Sequence, residues 1–147
     1  MIYLTSFYKS GELPPEVKRF SAAVYQPDGF NYPKIFAFDI RSKGKWIRPR
    51  EFKDKPRSLM AYHDALYAHY LKREVAIQTW LYKFGDTPVA LCCWCPYEKA
   101  AQHQLNEWGS FVCHLSVVGE FLHDLGAQVW YDGDRLKMAV LTQGRYK

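Results

Sequence analysis

Hydrophobic positions in the first part of the chain form short runs, and these predict strands that alternate with helices. Ile2–Tyr8 is rich in β-branched and aromatic residues and predicts a first strand. Pro14 and Pro15 suit the start of a short helix over Glu16–Ala23. Ile35–Ile40 is almost wholly apolar, so it predicts a second strand, covered on both faces and central in its sheet.

The second half of the chain continues this alternation. A helical spacing of apolar residues covers Ser58–Phe84, with a break, and Gly85 supplies the stop. Val89–Trp94 lacks polar alternation and predicts a third strand that is buried on both faces. A last helix is expected over about Cys113–Leu125, and Gln128–Tyr131 predicts a short fourth strand.

Strands that alternate with helices predict an α/β fold, here a single three-layer domain with a small, mostly parallel sheet flanked by helices. The 147 residues are 48% apolar and 24% charged, which suits one domain over residues 1–147 and excludes an intrinsically disordered protein. No uncharged apolar run approaches the roughly 18 residues of a membrane span, and the first residues lack a secretory signal pattern. A soluble, cytoplasmic protein without a membrane partner is therefore expected.

The positive charge of the chain is concentrated in one segment. The formal net charge is +5, and residues 43–57 hold seven basic and two acidic side chains, which accounts for the whole excess. Pro49 and Pro56 predict a loop outside the core, inserted into the domain. Basic residues mixed with aromatics hold phosphates and stack on bases. The candidate nucleic-acid-binding residues are Lys43, Lys45, Trp46, Arg48, Arg50 and Lys53.

The same segment has a second interpretation. It is equally typical of a solvated connection whose aromatic residues, Trp46 and Phe52, pack back onto the core. Charge runs are common on surfaces, so composition alone does not decide between the two.

In an open parallel sheet, ligands bind beyond the carboxyl ends of the strands. This rule selects Ser6 and Tyr8 from the first strand, Asp39 and Arg41 from the second, Cys93 and Cys95 from the third, and Cys113 and His114 from the start of the last helix. A cysteine at a helix N-terminus faces unpaired N–H groups that lower the pKa of its thiol, which makes Cys113 a candidate nucleophile. His114 beside it can orient an anion or accept a proton. The alternative is a helix start without chemistry.

The four cysteines crowd into two short segments, which favours reduced thiols over a disulfide framework. Cys92 and Cys93 point to opposite faces of a strand, so Cys92 is expected to be a core residue. A tetrahedral zinc site is an open alternative, although the C-x-C spacing departs from the usual C-x-x-C pattern. Its ligands would be Cys93, Cys95 and Cys113 with His103 or His114. The sequence predicts no required cofactor, with zinc as that alternative.

Three stretches of the chain carry a recognisable pattern: FDIRS at Phe38–Ser42, VALCCWCPYEK at Val89–Lys99 and VCHLSVVGEFLHDLG at Val112–Gly126. Together they resemble the domain-of-unknown-function 488 family, small α/β proteins of bacteria and phages. The resemblance runs from Tyr3 to about Tyr131 and implies a cytoplasmic protein. It implies that Asp39 and Arg41 match the family's Asp and Arg, Cys92 or Cys93 its strand cysteine, and Cys113 with His114 its Cys-His pair.

This chain departs from the family pattern at two points. Leu115 stands where the family usually has an arginine, which removes an expected anion ligand. The connection Pro96–Phe111 between the two cysteine motifs is longer than usual. The resemblance therefore bears on the fold and the location of the site more than on the activity.

Three hypotheses of function follow. The leading one is a nucleic-acid- or nucleotide-directed enzyme in which Cys113 reacts, His114 and Asp39 assist, and Arg41 holds a phosphate. Its substrate site would also include Ser6, Tyr8, Cys93 and Cys95. The second is a non-catalytic regulatory or phage-encoded binding protein that engages nucleic acid or an acidic protein partner through residues 43–57. The third is a small zinc-stabilised domain.

Overall fold

A computed structural model describes residues 1–52, 54, 58–84, 86–94 and 114–131. Its main sheet has four strands in the order β2-β5-β1-β6, and every neighbouring pair is parallel. These strands are β1 (Ile2–Ser6), β2 (Lys18–Ser21), β5 (Val89–Cys93) and β6 (Val129–Tyr131). The α/β class with a mostly parallel sheet is thereby confirmed.

Helices and a small hairpin complete the described part of the fold. The helices are α1 (Ser58–Leu71), α2 (Glu74–Phe84) and α3 (His114–Asp124). The hairpin consists of the two-residue strands β3 (Arg41–Ser42) and β4 (Lys45–Trp46), which pair in antiparallel fashion. The helical stretch predicted over Ser58–Phe84 is divided between α1 and α2, and the break lies at residues 72–73.

Side chains alternate across the main sheet and build an apolar layer on each face. Leu4 and Leu91 point to the face on which all three described helices bury their apolar residues. Phe7 and Cys92 point to the other face, where the described cover consists of residues from the segments 13–17 and 23–32 rather than helices. Because β5 is covered on both sides, all five of its side chains are buried, as its unbroken apolar sequence predicts. Trp94, the last residue of the expected buried strand, lies beyond β5 and is 46% exposed.

The expected helix over Glu16–Ala23 is wrong. Residues Lys18–Ser21 form strand β2, which hydrogen-bonds along β5 from the Lys18–Val89 pair onward. The two prolines before it are compatible with either element, because Pro suits a helix start and also the residue before a strand. Pairing with the central strand, which no local signal reveals, decides between them.

The expected central strand over Ile35–Ile40 is also wrong. Its backbone forms a single 3₁₀ turn at Phe36–Phe38 that buries Phe38 and leaves Phe36 73% exposed. Strand-like pairing with the sheet is confined to an isolated bridge between Lys34 and Ser21, just before the segment. Asp39 and Arg41 therefore follow a turn rather than the end of a strand, and β5 and β1 take the central places.

The described part of the basic segment forms more regular structure than the predicted loop. Lys43 and Gly44 both have positive φ angles, 53° and 79°, as a tight two-residue hairpin turn requires. A 3₁₀ turn follows at Pro49–Phe52. Phe52 packs against the core and contacts Tyr62 at 6.1 Å between ring centroids. The segment is therefore not wholly outside the core, and the packed interpretation is confirmed for Phe52.

Candidate nucleic-acid interface

Parallel pairing brings the carboxyl ends of β1, β2 and β5 to one edge of the sheet, called here the carboxyl edge. The first residues beyond these strands stay in the hydrogen-bonding pattern. The Phe7 N–H donates to the carbonyl of Cys93 at 2.9 Å, and the Ala22 N–H donates to the carbonyl of Cys92 at 3.0 Å. The segment after β2 returns along the same edge, because the Ile35 N–H donates to the carbonyl of Ser21 at 3.1 Å.

Asp39 anchors a group of cations at this edge. Its Oδ1 accepts hydrogen bonds from the backbone N–H and the Nε of Arg41 at 2.9 and 3.1 Å. Its Oδ2 accepts from Nη2 of Arg41 at 2.8 Å and from Nζ of Lys34 at 3.0 Å. Burial alone would raise the pKa of Asp39, but the hydrogen bonds from Arg41 and Lys34 outweigh it and hold the pKa well below its usual range. Asp39 is therefore ionised at neutral pH.

The backbone around Asp39 is held by His69 of α1 and by Arg73, which lies in the short connection between α1 and α2. His69 lies within 2.7 Å of the Asp39 carbonyl through Nε2, and burial lowers the pKa of this histidine. The neutral ring therefore donates from Nε2 to that carbonyl. Nη1 of Arg73 donates to the carbonyls of Phe36 and Asp39 at 2.9 and 3.2 Å, and its Nη2 donates to the carbonyl of Arg41 at 3.2 Å. The turn that carries Asp39 and Arg41 is thus fixed to the helical layer.

Aromatic side chains lie beside this cation group. The rings of Tyr25 and Trp46 are 6.1 Å apart, and the indole N–H of Trp94 donates to the carbonyl of Tyr25 at 2.6 Å. Arg48 places its guanidinium 4.7 Å from the centre of the Trp46 ring, a cation–π contact. Tyr25 is 68% exposed and Trp94 is 46% exposed.

These residues form one continuous surface. The pKa of Arg41 is raised, chiefly by its hydrogen bond to Asp39, and Tyr25 lies close enough to contribute to that shift. Arg41 also pairs with Trp46 across the hairpin, so it joins the cation group to the aromatic residues. The aromatic–basic surface is defined as Tyr25, Arg41, Trp46, Arg48 and Trp94.

The predicted nucleic-acid-binding residues divide into two groups. Lys43 and Lys45 are exposed at the tip of the hairpin, beside the aromatic–basic surface. Trp46 and Arg48 belong to that surface, and Arg48 also pairs with Glu51 at 2.8 Å. The side chain of Arg50 and the whole of Lys53 lie outside the described residues.

The cysteines do not converge in the described part of the chain. Cys92 lies in the loop-covered layer and Cys93 in the helix-covered layer, as strand alternation predicts. Burial raises the pKa of the Cys92 thiol to about 12, against the smaller opposing effects of Arg19 and Ser10. Cys92 is therefore protonated and unreactive at neutral pH. Cys95 and Cys113 lie outside the described residues, so the nucleophile stays a prediction.

The remaining predicted site residues differ in their accessibility. Ser6 is buried, and its hydroxyl oxygen accepts the backbone N–H of Lys9 at 3.2 Å, so it ends strand β1 rather than facing a ligand. Tyr8 is exposed and packs edge-on against Phe30.

His114 opens helix α3. Burial lowers its pKa to about 4, so the imidazole is neutral at pH 7 and cannot hold an anion by charge. Its buried Nδ1 has no hydrogen-bond partner among the residues that the structure describes. The ring can therefore still donate or accept a hydrogen bond.

Several residues around Asp39 and on the aromatic–basic surface were not predicted from the sequence. Lys34, His69 and Arg73 reach Asp39 from 5, 30 and 34 positions away in the chain, respectively. Tyr25 and Trp94 follow strands β2 and β5, so the carboxyl-end rule would have selected both, given the correct position of β2.

The comparisons with known proteins do not assign this chain to a family. No family model, curated protein or solved structure matches it. The resemblance to the domain-of-unknown-function 488 family therefore stays a prediction from motifs. Within the described ranges, no group of three His, Cys, Asp or Glu side chains is arranged to hold a metal, and no helix is long and apolar enough to cross a membrane.

Proposed function

We propose that the chain is a nucleic-acid-directed protein that holds a single strand on its aromatic–basic surface. The observation that carries the proposal is the interleaving of exposed rings with guanidinium groups at the carboxyl edge. Bases stack on aromatic faces, and guanidinium groups hold the phosphates between them. The geometry supplies both at once.

Each side chain has a role that follows from its contacts. Tyr25 and Trp94 present exposed rings to bases. Arg41 is oriented by two hydrogen bonds to Asp39, so less side-chain entropy is lost when it binds a phosphate. The cation–π contact with the Trp46 ring likewise restricts the conformation of the Arg48 side chain. The surface is therefore organised before a ligand arrives.

A single strand fits this surface better than a duplex or an acidic protein. The bases of a duplex are stacked on one another, so protein rings cannot reach their faces. An acidic protein partner would use the cations but would leave the exposed rings without a role. We therefore take the nucleic acid as the ligand and the acidic partner as an outcome of the test.

A binding titration with matched variants tests the proposal. The probe is a fluorescent oligothymidylate of about twelve nucleotides, followed by anisotropy at low salt. Tyr25→Ala and Trp94→Ala should each weaken binding by about five- to 150-fold, since stacking on one ring contributes roughly 1–3 kcal/mol. Tyr82→Ala is the control, because Tyr82 is 91% exposed and belongs to α2.

The position of the control residue makes the comparison specific. Phe84, two residues beyond Tyr82, borders the same cavity as Met1 and Gln128, at the amino ends of the strands. Tyr82 therefore lies toward the opposite edge of the sheet, and its substitution should leave affinity unchanged. Equal losses in all three variants would contradict a surface confined to the carboxyl edge.

Salt dependence separates nucleic acid from other ligands. Affinity should fall steeply between about 50 and 200 mM salt, because phosphate contacts release counterions. If the wild type binds no oligonucleotide even at about 50 mM salt, the nucleic-acid proposal fails and the acidic-partner hypothesis replaces it.

A further inference from the structure

An open depression lies next to the aromatic–basic surface, between the 3₁₀ turn at Phe36–Phe38 and the start of α2. Its lining residues are Phe36, Ala37, Asp39, Arg41, Arg73 and Ala76. Its volume of about 520 Å³ falls within the roughly 300–1,000 Å³ of small-ligand pockets. Arg41 belongs to both features, so a ligand on the surface can reach the depression.

The charges around the depression do not balance. Lys34 and Arg41 share the single carboxylate of Asp39. Arg73 donates only to backbone carbonyls and has no carboxylate partner among the described residues. Lys72 and Glu74, which flank Arg73 in the sequence, cancel each other. The local excess is therefore two positive charges.

Arg41 keeps hydrogen-bond donors for a ligand. A guanidinium group has five N–H donors, and Asp39 takes those of Nε and one of Nη2. Within the described part of the chain, Nη1 of Arg41 has no hydrogen-bond partner, and the side chain is 38% exposed. The edge of the guanidinium that faces away from Asp39 can bind two oxygens of one anion.

We propose that this depression is a subsite for the terminal phosphate monoester of a nucleic-acid strand. A phosphate monoester carries a charge of about −1.5 to −2 at pH 7 and three acceptor oxygens, whereas a diester within the backbone carries one charge. The excess of two positive charges matches the monoester. Phe36 is 73% exposed on the rim, where the terminal base can stack. The subsite rests on the proposed nucleic-acid function and adds a preference for strand ends.

The test compares oligothymidylates that differ only at their ends. Three probes of equal length carry a 5′-phosphate, a 3′-phosphate or two hydroxyl ends, and each is titrated against the whole chain. We expect one phosphorylated probe to bind about tenfold tighter than the hydroxyl probe. Inorganic phosphate should compete this advantage away at a concentration that leaves the hydroxyl probe bound, which separates the phosphate group from the rest of the strand.

Matched variants assign the preference to the depression. Arg41→Lys and Arg73→Lys keep the positive charge but lose the planar guanidinium group that can donate two hydrogen bonds to one anion. The advantage of the phosphorylated probe should therefore disappear. Lys83→Arg, on α2 toward the opposite edge, should retain it. Circular dichroism of each variant checks the fold, and the hydroxyl probe checks the rest of the surface.

The outcomes distinguish the two proposals. Equal binding of all three probes to the wild type would overturn the subsite and leave the nucleic-acid function standing. A preference that survives in folded Arg41→Lys and Arg73→Lys variants would also overturn the subsite. Absence of binding by any probe would overturn both proposals.

Discussion

A single carboxylate, Asp39, organises the cations of the carboxyl edge. Its side chain orients Lys34 and Arg41, while its backbone carbonyl accepts hydrogen bonds from His69 and Arg73. The residue is buried, yet these contacts keep it ionised. Its role in the proposed function is therefore to position the cations and not to contact the ligand.

Replacing Asp39 with asparagine should destabilise the fold in a pH-dependent way. The folded pKa is lowered, so the carboxylate contributes stability above the usual carboxyl range near pH 4, and this is lost as the pH falls toward the folded pKa. Asp39→Asn should reduce the free energy of unfolding by about 1–3 kcal/mol at pH 7. The difference from the wild type should narrow near pH 3. Urea unfolding at both pH values measures it.

A control separates this effect from the loss of any surface charge. Asp86 is exposed, and Asp86→Asn should change the free energy of unfolding by no more than about 0.5 kcal/mol. A constant difference between wild type and Asp39→Asn across the pH range would show that the ion pairs contribute nothing.

The thiol of Cys92 should resist alkylation in the folded protein. Burial removes both access and thiolate character, because its pKa is raised to about 12. A brief iodoacetamide pulse at pH 7, mapped by mass spectrometry, should leave Cys92 unmodified until urea is added. The same map tests the predicted helix-terminal thiol: Cys113 should react faster than Cys92. Labelling of Cys92 at the rate of Cys113 would contradict both statements.

Two polar contacts join helices α1 and α3 along the layer that supports the edge. His63 of α1 meets Glu120 of α3 at 2.5 Å, and one turn further along both helices the Tyr67 hydroxyl donates to Asp124 at 2.5 Å. Because both contacts advance by four residues, the two helices run in the same direction. They cover the same face of the sheet and hold β1 and β6 beneath them.

The His63–Glu120 contact predicts a second pH dependence, with the opposite sign to that of Asp39. Burial works to lower the pKa of His63, but the hydrogen bonds to Glu120 and Asp64 outweigh it and raise the pKa. The stabilisation that the contact contributes is therefore complete below about pH 6.5, and it is lost as the pH rises through the pKa of His63 in the folded protein. His63→Gln should cost about 1–3 kcal/mol at pH 6 and less at pH 9 in urea unfolding.

His123 offers the matched control for that measurement. Its side chain is about half exposed and lies 3.9 Å from Asp124, so His123→Gln should cost at most about 0.5 kcal/mol at either pH. If His63→Gln costs the same at pH 6 and pH 9, the contact does not involve a charged histidine.

The elements that could be predicted from the sequence are those in which burial leaves a clear pattern of apolar residues. Strand β5 reads as a continuous apolar run because the sheet is covered on both faces, and α3 shows its apolar stripe. Strand β2 escaped detection because its pairing with β5 is a long-range contact. The apolar run Ile35–Ile40 was wrongly predicted to be a strand. An apolar run that does not extend a sheet can also bury one aromatic ring by forming a turn.

The candidate site was predictable only in part, for a related reason. Asp39 and Arg41 stand two positions apart, and their pairing is visible in the sequence. Arg73 reaches the same turn from the connection between α1 and α2, and only the folded chain shows that it does. The charge of residues 43–57 draws attention to the segment that carries Trp46 and Arg48, whereas the role of Phe52 in the core depends on packing that composition does not show.

At the scale of the whole molecule, parallel pairing explains how distant segments come to share one surface. Every strand of the main sheet has the same direction, so the residues after β2 and β5 emerge at one edge although about seventy positions separate them. The hairpin of the basic segment packs onto that edge through the contact between Trp46 and Tyr25. The fold thus gathers rings and cations that lie far apart in the sequence.

Photochemical cross-linking tests this account most directly. The wild-type chain is irradiated with a uniformly 4-thiothymidine-substituted oligonucleotide at low salt, and the cross-linked peptides are mapped by mass spectrometry. We expect cross-links at Tyr25, Trp46 and Trp94, and none at Tyr82, which is the most exposed of these aromatic residues. Cross-links concentrated at Tyr82, or spread evenly over exposed aromatic residues, would contradict the claim that the carboxyl edge is the nucleic-acid-binding surface.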